Sequence, residues 1–224
     1  MKLKDKKVII FDLDGTLIDS APDLAMALNR MLESLGRKGF DEVTIRGWIG
    51  NGATTLVKRA LSGQREVDDS IDNRVFEEAL SIFFDFYEKN LAVHTITYPN
   101  VIRTLKILRN RNYRLVIITN KPFVFVAPIL NSLGIMEFFE YFIGGDSLPE
   151  KKPSPQPLLH ICDKFNISID ESVMIGDSKN DILSANASHM QSIAVTYGYN
   201  YEEYIGIHNP TIVIDNFEKL VEIL

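Results

Sequence analysis

Two aspartates, Asp12 and Asp14, stand at the point where a short apolar run of the sequence ends. Residues 8–11, VIIF, have the composition of a buried strand, and Gly15 and Thr16 then turn the chain. Two carboxylates separated by one residue project to the same side of a chain that is still extended. The pattern fits either a polar turn that closes a core strand or a strand end that carries a pair of acids for chemistry.

Polar side chains also follow later apolar runs of this kind. In chain order they are Thr119, Asn120 and Lys121, then Lys151 and Lys152, then Asp177 with Asp181 beyond it. Taken singly, each has an ordinary explanation as a turn residue, a helix cap or a solvated loop residue. Doubly wound sheets, however, bind ligands beyond the carboxyl ends of their strands. We therefore expect these side chains to converge at one edge of a sheet.

The chemistry that suits this set is phosphoryl transfer through an aspartyl phosphate. Phosphate monoesters hydrolyse very slowly unaided, and catalysis of their transfer consists mostly of positioning and charge neutralisation. A carboxylate nucleophile, here Asp12, divides the reaction into two easier steps. Because a carboxylate repels a phosphate, we expect Mg²⁺ between them, held by Asp12, Asp177 and the main-chain carbonyl of Asp14. Lys152 would neutralise the remaining charge, and Thr119 would donate a hydrogen bond to a phosphoryl oxygen.

Asp14 has a separate predicted task. Two positions beyond the nucleophile, it could donate a proton to the leaving alcohol and later accept one from the attacking water. This division of labour favours the catalytic interpretation of the two acids: one attacks phosphorus, and the other moves protons.

Apolar runs and helical patterns alternate along much of the chain. Runs rich in β-branched residues occur at 8–11, 115–119, 141–144, 172–176, 192–196 and 211–214. Helical periodicity fills most of the intervals between the later runs. Alternation of this kind with short connections predicts an α/β fold, a doubly wound and mainly parallel Rossmann-like sheet.

The interval after the first strand breaks this alternation. From about residue 20 to residue 92 the sequence has helical periodicity only, interrupted by the polar stretch 62–72, which we interpret as an internal loop. We therefore predict an α/β catalytic core domain from residues 1–19 and 93–224, and a helical cap domain inserted between them from residues 20–92.

The bulk composition argues against several classes of protein. The 224 residues are 46% hydrophobic and 24% charged, as is usual for a globular protein. A net charge of −6 disfavours a broad surface for nucleic acid or anionic lipid, and no stretch approaches the ~20 apolar residues needed to cross a bilayer. We expect a cytoplasmic protein without nucleic-acid or membrane partners, either a monomer or a weak homo-oligomer.

Four segments, FDLDGTL, ITNK, KKPSP and GDSKND, resemble in order the four motifs of the haloacid dehalogenase (HAD) superfamily of phosphatases. A closer likeness to the phosphoglycolate phosphatases is carried by WIGNGATTLVKRAL, TNKPFVFVAPILNSLGI, IGGDSLPEKKPSP and TYGYNY. The resemblance implies a Mg²⁺-dependent phosphoric monoester hydrolase with a helical cap after the first motif. It implies 2-phosphoglycolate as the substrate, with another small phosphate ester or pyrophosphate as the alternative.

The same resemblance implies a role for each residue of the site. Asp12 is the nucleophile and Asp14 the general acid and base; Mg²⁺ is bound by Asp12, Asp14 and Asp177; the substrate is held by Thr119, Asn120 and Lys152; and Asp181 supports the site. Asp181 would orient Lys152 or metal-bound water, although an acid in the first turn of a helix also occurs without any such function.

Two other classes of protein share part of this pattern. A phospho-accepting receiver module also uses a sheet-edge aspartate, further acids, a hydroxyl and a lysine, but it needs neither a second acid two residues on nor a helical cap. A non-catalytic binding protein can also use an enzyme scaffold. That interpretation would gain support from replacement of Asp12 or Asp14, and both acids are present.

The sequence does not identify the residues that recognise the carbon skeleton of the substrate. Arg46, Asn51 and Lys58, near the segment GNGA, are candidates for binding an anionic group, and each is explained equally well as solvated cap surface. His189 stands where the resembled family usually has a glycine after a helix, so we expect a left-handed backbone there, which histidine tolerates better than most residues.

Overall fold

The apolar runs of the sequence form the strands of the protein in a computed structural model that describes residues 2–68, 70–201 and 203–224. The strands are β1 (Val8–Phe11), β2 (Ile18–Asp19), β3 (Ile96–Thr97), β4 (Arg114–Ile118), β5 (Tyr141–Ile143), β6 (Ser172–Gly176), β7 (Gln191–Val195) and β8 (Ile212–Ile214). Six of them form one sheet in the order β5-β4-β1-β6-β7-β8. Every neighbouring pair in this sheet is parallel.

Burial on both faces explains why these segments read as continuous apolar runs. All four residues of β1, in the middle of the sheet, are fully buried. One face packs Ile9 and Phe11 into a large apolar cluster, and the other packs Val8 and Ile10 with the helix that follows β5. The predicted doubly wound α/β fold is confirmed.

Nine α-helices lie within the described residues. They are α1 (Ala21–Ser34), α2 (Glu42–Arg46), α3 (Ala53–Ser62), α4 (Asn73–Lys89), α5 (Val101–Asn110), α6 (Phe123–Ser132), α7 (Gln156–Phe165), α8 (Lys179–Ala187) and α9 (Leu220–Ile223). Short 3-10 turns follow α6, precede β6 and β8, and lead into α9. Helices α5 to α9 connect or flank the parallel strands, as the alternation predicts. No described helix is long and apolar enough to span a membrane.

Helices α1 to α4 form the segment between β1 and the rest of the sheet. They pack on one another, and the chain leaves and returns through the antiparallel pair β2–β3. The buried carboxylate of Asp23 in α1 ties the returning chain down, because it accepts hydrogen bonds from the amides of His94 and Thr95. The helical character of this segment matches its periodicity. Its assignment as a separate cap domain, residues 20–92, stays a prediction.

Candidate active site

The carboxyl edge of the sheet gathers Asp12 from the end of β1, Asp177 and Asp181 from beyond β6, and Lys152 from the loop after β5. Asp12 follows β1 directly, and its Oδ1 accepts a hydrogen bond of 2.8 Å from Nζ of Lys152. The same ammonium donates to Oδ1 of Asp181 at 2.6 Å and to the carbonyl of Ile118 at 2.6 Å. Lys152 is 2% exposed, so a buried cation with three acceptors lies beside Asp12.

Asp177 and Asp181, which follow β6, are held by different donors. The hydroxyl of Thr16 donates to Oδ1 of Asp177 at 2.8 Å, and the amide of Tyr199 donates to Oδ2 at 2.7 Å. Oδ2 of Asp181 accepts from the amide and the hydroxyl of Ser178 at 3.0 and 2.8 Å. Ser178 and Asp181 thereby form the capping box that starts α8. This capping box stabilises the first turn of α8 and at the same time fixes the position of the Asp181 carboxylate.

Burial of several like charges shifts the pKa values of this cluster. Burial first, and then the charge of Asp181, raise the pKa of Asp12 to about 7, against the lowering effect of Lys152. Burial and the charges of Asp12 and Asp181 raise the pKa of Asp177 well above its usual range. Burial alone would lower the pKa of Lys152, but the carboxylates of Asp12 and Asp181 raise it above its ordinary value. The cluster therefore has more negative charge than Lys152 alone stabilises.

The donor set of this cluster fits a divalent cation. Asp12, Asp177 and Asp181 each offer a carboxylate oxygen, and these oxygens lie within 4.8 Å of one another. An ionised carboxylate has about four acceptor sites. Within the described residues, protein donors use one site on Asp12, two on Asp177 and three on Asp181. Asp12 and Asp177 thus keep the most capacity for Mg²⁺, and Asp181 keeps the least.

The carboxylate of Asp14 makes contacts different from those of this cluster. Its Oδ1 accepts hydrogen bonds from the hydroxyl of Ser20 and from Nζ of Lys121, the latter at 2.9 Å. It also lines a small pocket at this edge of the sheet. The side chain therefore lies on the wall of the pocket rather than among the three clustered acids. Lys121 was given no role from the sequence, although it stands in the ITNK segment.

Thr119 and Asn120 follow β4 and also line the pocket. Oγ1 of Thr119 accepts a hydrogen bond of 3.1 Å from the amide of Lys121, which leaves its own hydroxyl hydrogen for a ligand. Nδ2 of Asn120 donates to the carbonyls of Gly50 and Lys152, each at 3.0 Å. Its Oδ1 is buried without a hydrogen-bond partner among the described residues. Asn120 thus connects the helical segment to the sheet edge.

The loop of residues 50–52, between α2 and α3, lies directly over the sheet edge. Besides Asn120, Asn180 donates to the carbonyl of Gly50 at 3.1 Å. Lys151 donates to the carbonyl of Asn51 at 2.8 Å, and the hydroxyl of Tyr201 donates to Oδ1 of Asn51 at 2.5 Å. Four side chains of the α/β part therefore hold this loop, and the helical segment is closed over the site.

Glycine is required at two positions by close backbone approach. Gly52 has a φ of +85°, and a Cβ there would lie 2.7 Å from the carbonyl oxygen of Asn120. Gly15 has a φ of +90°, and a Cβ there would lie 2.2 Å from a carboxylate oxygen of Asp177. L-residues rarely adopt such values of φ. One glycine lets the loop close, and the other lets β1 and β6 bring their acids together.

The pocket enclosed by this closure is small and mostly apolar. Its volume is about 40 Å³. Its polar wall is formed by Asp12, Asp14, Thr119, Asn120 and Lys121, and its apolar wall by Leu24, Ile49, Leu56, Phe83, Tyr87, Pro122 and Phe125, together with Gly50, Gly52 and Ala53. The apolar wall comes largely from the helical segment and the polar wall from the sheet edge.

The cationic cap candidates from the sequence lie outside this pocket. The guanidinium of Arg46 pairs with Asp19 and Glu42, and Nζ of Lys58 lies 5.1 Å from the centre of the Phe76 ring. Neither residue lines the pocket, whereas Lys121 does. Of the cationic candidates, Arg46 and Lys58 therefore do not reach the pocket, and the cation on its wall is Lys121 from the sheet edge.

Comparison with known proteins agrees with this geometry. A family model described as haloacid dehalogenase-like hydrolase matches residues 9–195. The chain belongs to this family. It is 48% identical over 221 residues to a phosphoglycolate phosphatase of Colwellia psychrerythraea, covering 99% of this chain and 98% of the relative. It is 47% identical to a phosphoglycolate phosphatase of Psychrobacter arcticus, covering 98% of this chain and 96% of the relative.

A solved structure gives the same result for the fold. The crystal structure of a predicted phosphoglycolate phosphatase from Haemophilus somnus 129PT superposes with a TM-score of 0.92 at 36% identity, covering 99% of each chain. The predicted resemblance to HAD phosphatases, and to phosphoglycolate phosphatases in particular, is confirmed. The predicted enzyme class, a phosphoric monoester hydrolase, is confirmed with it. The roles of the individual site residues stay predictions.

Proposed function

We propose that the protein is a Mg²⁺-dependent phosphatase that hydrolyses 2-phosphoglycolate to glycolate and phosphate through a phosphorylated Asp12. The observation that carries this proposal is the position of two acids with different partners on the wall of one pocket. Asp12 belongs to a buried acidic cluster with Lys152, and Asp14 lines a small cavity that suits a small leaving group. The names of the relatives support the choice of substrate.

In the first step, a carboxylate oxygen of Asp12 attacks phosphorus, and the bond between phosphorus and the ester oxygen breaks. Lys152 binds Oδ1 of Asp12, which orients Oδ2 for attack. Asp14, protonated at this stage, gives its proton to the ester oxygen as glycolate leaves. The hydroxyl of Thr119 donates to a phosphoryl oxygen, so that the charge of the transferring group is spread over fixed donors.

In the second step, water attacks phosphorus, and the bond between phosphorus and Asp12 breaks. Asp14, now a carboxylate, accepts a proton from the water, which restores the acid for the next cycle. Inorganic phosphate leaves, and Asp12 is again a carboxylate held by Lys152. Closure of the 50–52 loop keeps other water away from the site during transfer.

Three groups of the chain are proposed to bind the metal. Asp12, Asp177 and the main-chain carbonyl of Asp14 would hold it, and Asp181 would keep Lys152 in place. When bound, Mg²⁺ supplies positive charge that reduces the repulsion between Asp12 and the phosphate. Location in the cytoplasm and a monomeric or weakly associating state are further parts of the proposal.

A panel of phosphate compounds tests the function. Rates are measured side by side with Mg²⁺ for 2-phosphoglycolate, ethyl phosphate, a hexose phosphate and pyrophosphate. We expect the highest kcat/KM for 2-phosphoglycolate, and loss of activity after exhaustive chelation. A tenfold advantage for a hexose phosphate or pyrophosphate would overturn the substrate and leave the family unchanged. Full activity after chelation would remove the metal from the mechanism.

A further inference from the structure

Lys121 is a buried cation whose hydrogen-bonding capacity is only partly used. Its side chain is 3% exposed. An ammonium group has three N–H donors, and within the described part of the chain only Asp14 accepts a hydrogen bond from this one, at 2.9 Å. Because unsatisfied N–H groups of a buried charge are costly, the position of Lys121 on the pocket wall calls for an anionic ligand.

Tyr87, in α4 of the helical segment, presents a second unsatisfied group to the same pocket. Its side chain is 1% exposed, and its ring centre lies 4.9 Å from Nζ of Lys121. The hydroxyl makes no hydrogen bond of acceptable geometry with any described residue. Burial, with a smaller opposing effect of Lys121, raises the pKa of Tyr87 to about 12, so the hydroxyl keeps its proton and can donate it. A buried donor next to a buried cation forms a site for a carboxylate.

The distance from the reacting atoms fits a ligand of two carbons. In 2-phosphoglycolate the carboxylate carbon is only two bonds from the ester oxygen. A cation that binds the carboxylate must therefore lie beside the acid that protonates this oxygen, and Lys121 is in direct contact with Asp14. The small cavity of about 40 Å³ favours a leaving group of this size over a hexose in the closed form.

We propose that Lys121 and Tyr87 bind the carboxylate of the substrate and make the enzyme selective for small phosphate esters of hydroxy acids. The inference rests on the proposed phosphatase function and adds the residues that determine specificity. Lys121 supplies the charge from the sheet edge, and Tyr87 supplies a hydrogen bond from the helical segment. The carboxylate can then be bound by both only when the helical segment is closed.

A comparison of two alkyl esters tests the inference in the complete enzyme. 2-Phosphoglycolate and ethyl phosphate have the same linkage at the ester oxygen and differ by the carboxylate. We expect Lys121→Met to lower the ratio of their kcat/KM values by ~10–100-fold, as for loss of a hydrogen bond to a charged group. Tyr87→Phe, which keeps the ring, should lower the ratio by ~3–10-fold. Lys58→Met, which also removes a lysine beside an aromatic ring, should leave the ratio unchanged.

Binding without turnover gives the second measurement. 3-Phosphonopropionate resembles the substrate with a methylene in place of the ester oxygen, and propylphosphonate lacks its carboxylate. We expect the wild-type protein to prefer 3-phosphonopropionate in calorimetry, and we expect Lys121→Met to lose most of that preference and Tyr87→Phe a smaller part of it. Variants that keep both preferences would overturn the inference. A wild-type enzyme that prefers ethyl phosphate while its preference for 3-phosphonopropionate depends on Lys121 would overturn only the proposed substrate.

Discussion

The role of Asp14 can be tested apart from the roles of the neighbouring acids by replacing this one residue. Its carboxylate accepts hydrogen bonds from Ser20 and Lys121 and is not part of the acidic cluster. If Asp14 protonates the leaving group, its replacement matters most where the leaving group is basic. We expect Asp14→Asn to slow phosphorylation of Asp12 by 2-phosphoglycolate by ~10²–10⁴-fold. p-Nitrophenyl phosphate, whose leaving group departs readily as an anion, should phosphorylate Asp12 at nearly the wild-type rate. Rapid-quench experiments measure both rates.

The same variant should expose the second role of Asp14. With no base to activate water, the phosphorylated Asp12 should accumulate, and p-nitrophenyl phosphate should give a burst of nitrophenol followed by a slow steady state. Equal slowing of phosphorylation with both substrates would mean that Asp14 acts only by shaping the site.

His189 lies outside the site, so its replacement tests only the need for a left-handed backbone at this position. Its φ is +57°, as the departure from glycine predicts, and its side chain is exposed. Glycine adopts this conformation without steric cost, although it also increases the entropy of the unfolded chain. We expect His189→Gly to range from neutral to about 1 kcal/mol more stable, with kcat unchanged. Urea unfolding measures the change, and a clear loss of stability would reveal contacts of the imidazole.

The 50–52 loop is the element that connects the helical segment to the catalytic edge. In a Gly52→Ala variant the new methyl group would lie 2.7 Å from the carbonyl of Asn120, so the loop must move away from the sheet. Displacements of about 1 Å can cost ~10²-fold in rate. We therefore expect kcat/KM for 2-phosphoglycolate to fall by ~10–100-fold, measured beside thermal stability.

Gly36→Ala is the matched control for this loop. Gly36 also lies in the helical segment with a positive φ, +68°, but a Cβ there would meet nothing within 4 Å. It should cost about 1 kcal/mol of stability and leave kcat/KM unchanged. Equal kinetic losses in both variants would show that strain, rather than contact with Asn120, limits activity.

The elements that were predictable from the sequence are those with a strong period or a long apolar run. The parallel strands and the long helices follow this rule, and the predicted apolar runs end within one residue of the observed strands. The two-residue strands β2 and β3 and the five-residue α2 were not predicted. Segments this short do not contain enough residues to show a hydrophobic period. In the site, Asp12, Asp177 and Lys152 could be grouped because parallel strands end at one edge. The contact of Lys121 with Tyr87 could not, because it depends on how α4 packs over that edge.

The charge distribution of the whole molecule explains how an acidic protein could take up an anionic substrate. The net charge is −6, yet the catalytic edge holds Lys121 and Lys152 in buried positions and Lys151 in a half-buried one. A low-dielectric wall strengthens the field of charges inside a cleft. The same edge also holds four carboxylates, those of Asp12, Asp14, Asp177 and Asp181. The three lysines therefore offset much of the local negative charge, and a bound Mg²⁺ would supply the further positive charge that attracts an anionic substrate.

The coupling of stability to pH is a property of the whole chain that follows from the buried acids. The pKa of Asp12 is raised to about 7 and that of Asp177 is raised well above its usual range, so the folded state binds protons more tightly than the unfolded state. Their contribution is most favourable below the unfolded pKa of ~4 and is lost as pH rises towards 7 and beyond. A cation bound between ionised carboxylates opposes this loss.

We therefore expect Mg²⁺ to raise the Tm more at pH 8 than at pH 5.5, because at the lower pH it must compete with protons for Asp12 and Asp177. Differential scanning calorimetry with and without Mg²⁺ at the two pH values measures the difference. In Asp177→Asn one of the titrating ligands is removed, so both the Mg²⁺-dependent increase and its pH dependence should shrink. An increase in Tm of the same size at pH 5.5 and pH 8 would mean that the metal binds away from these two carboxylates.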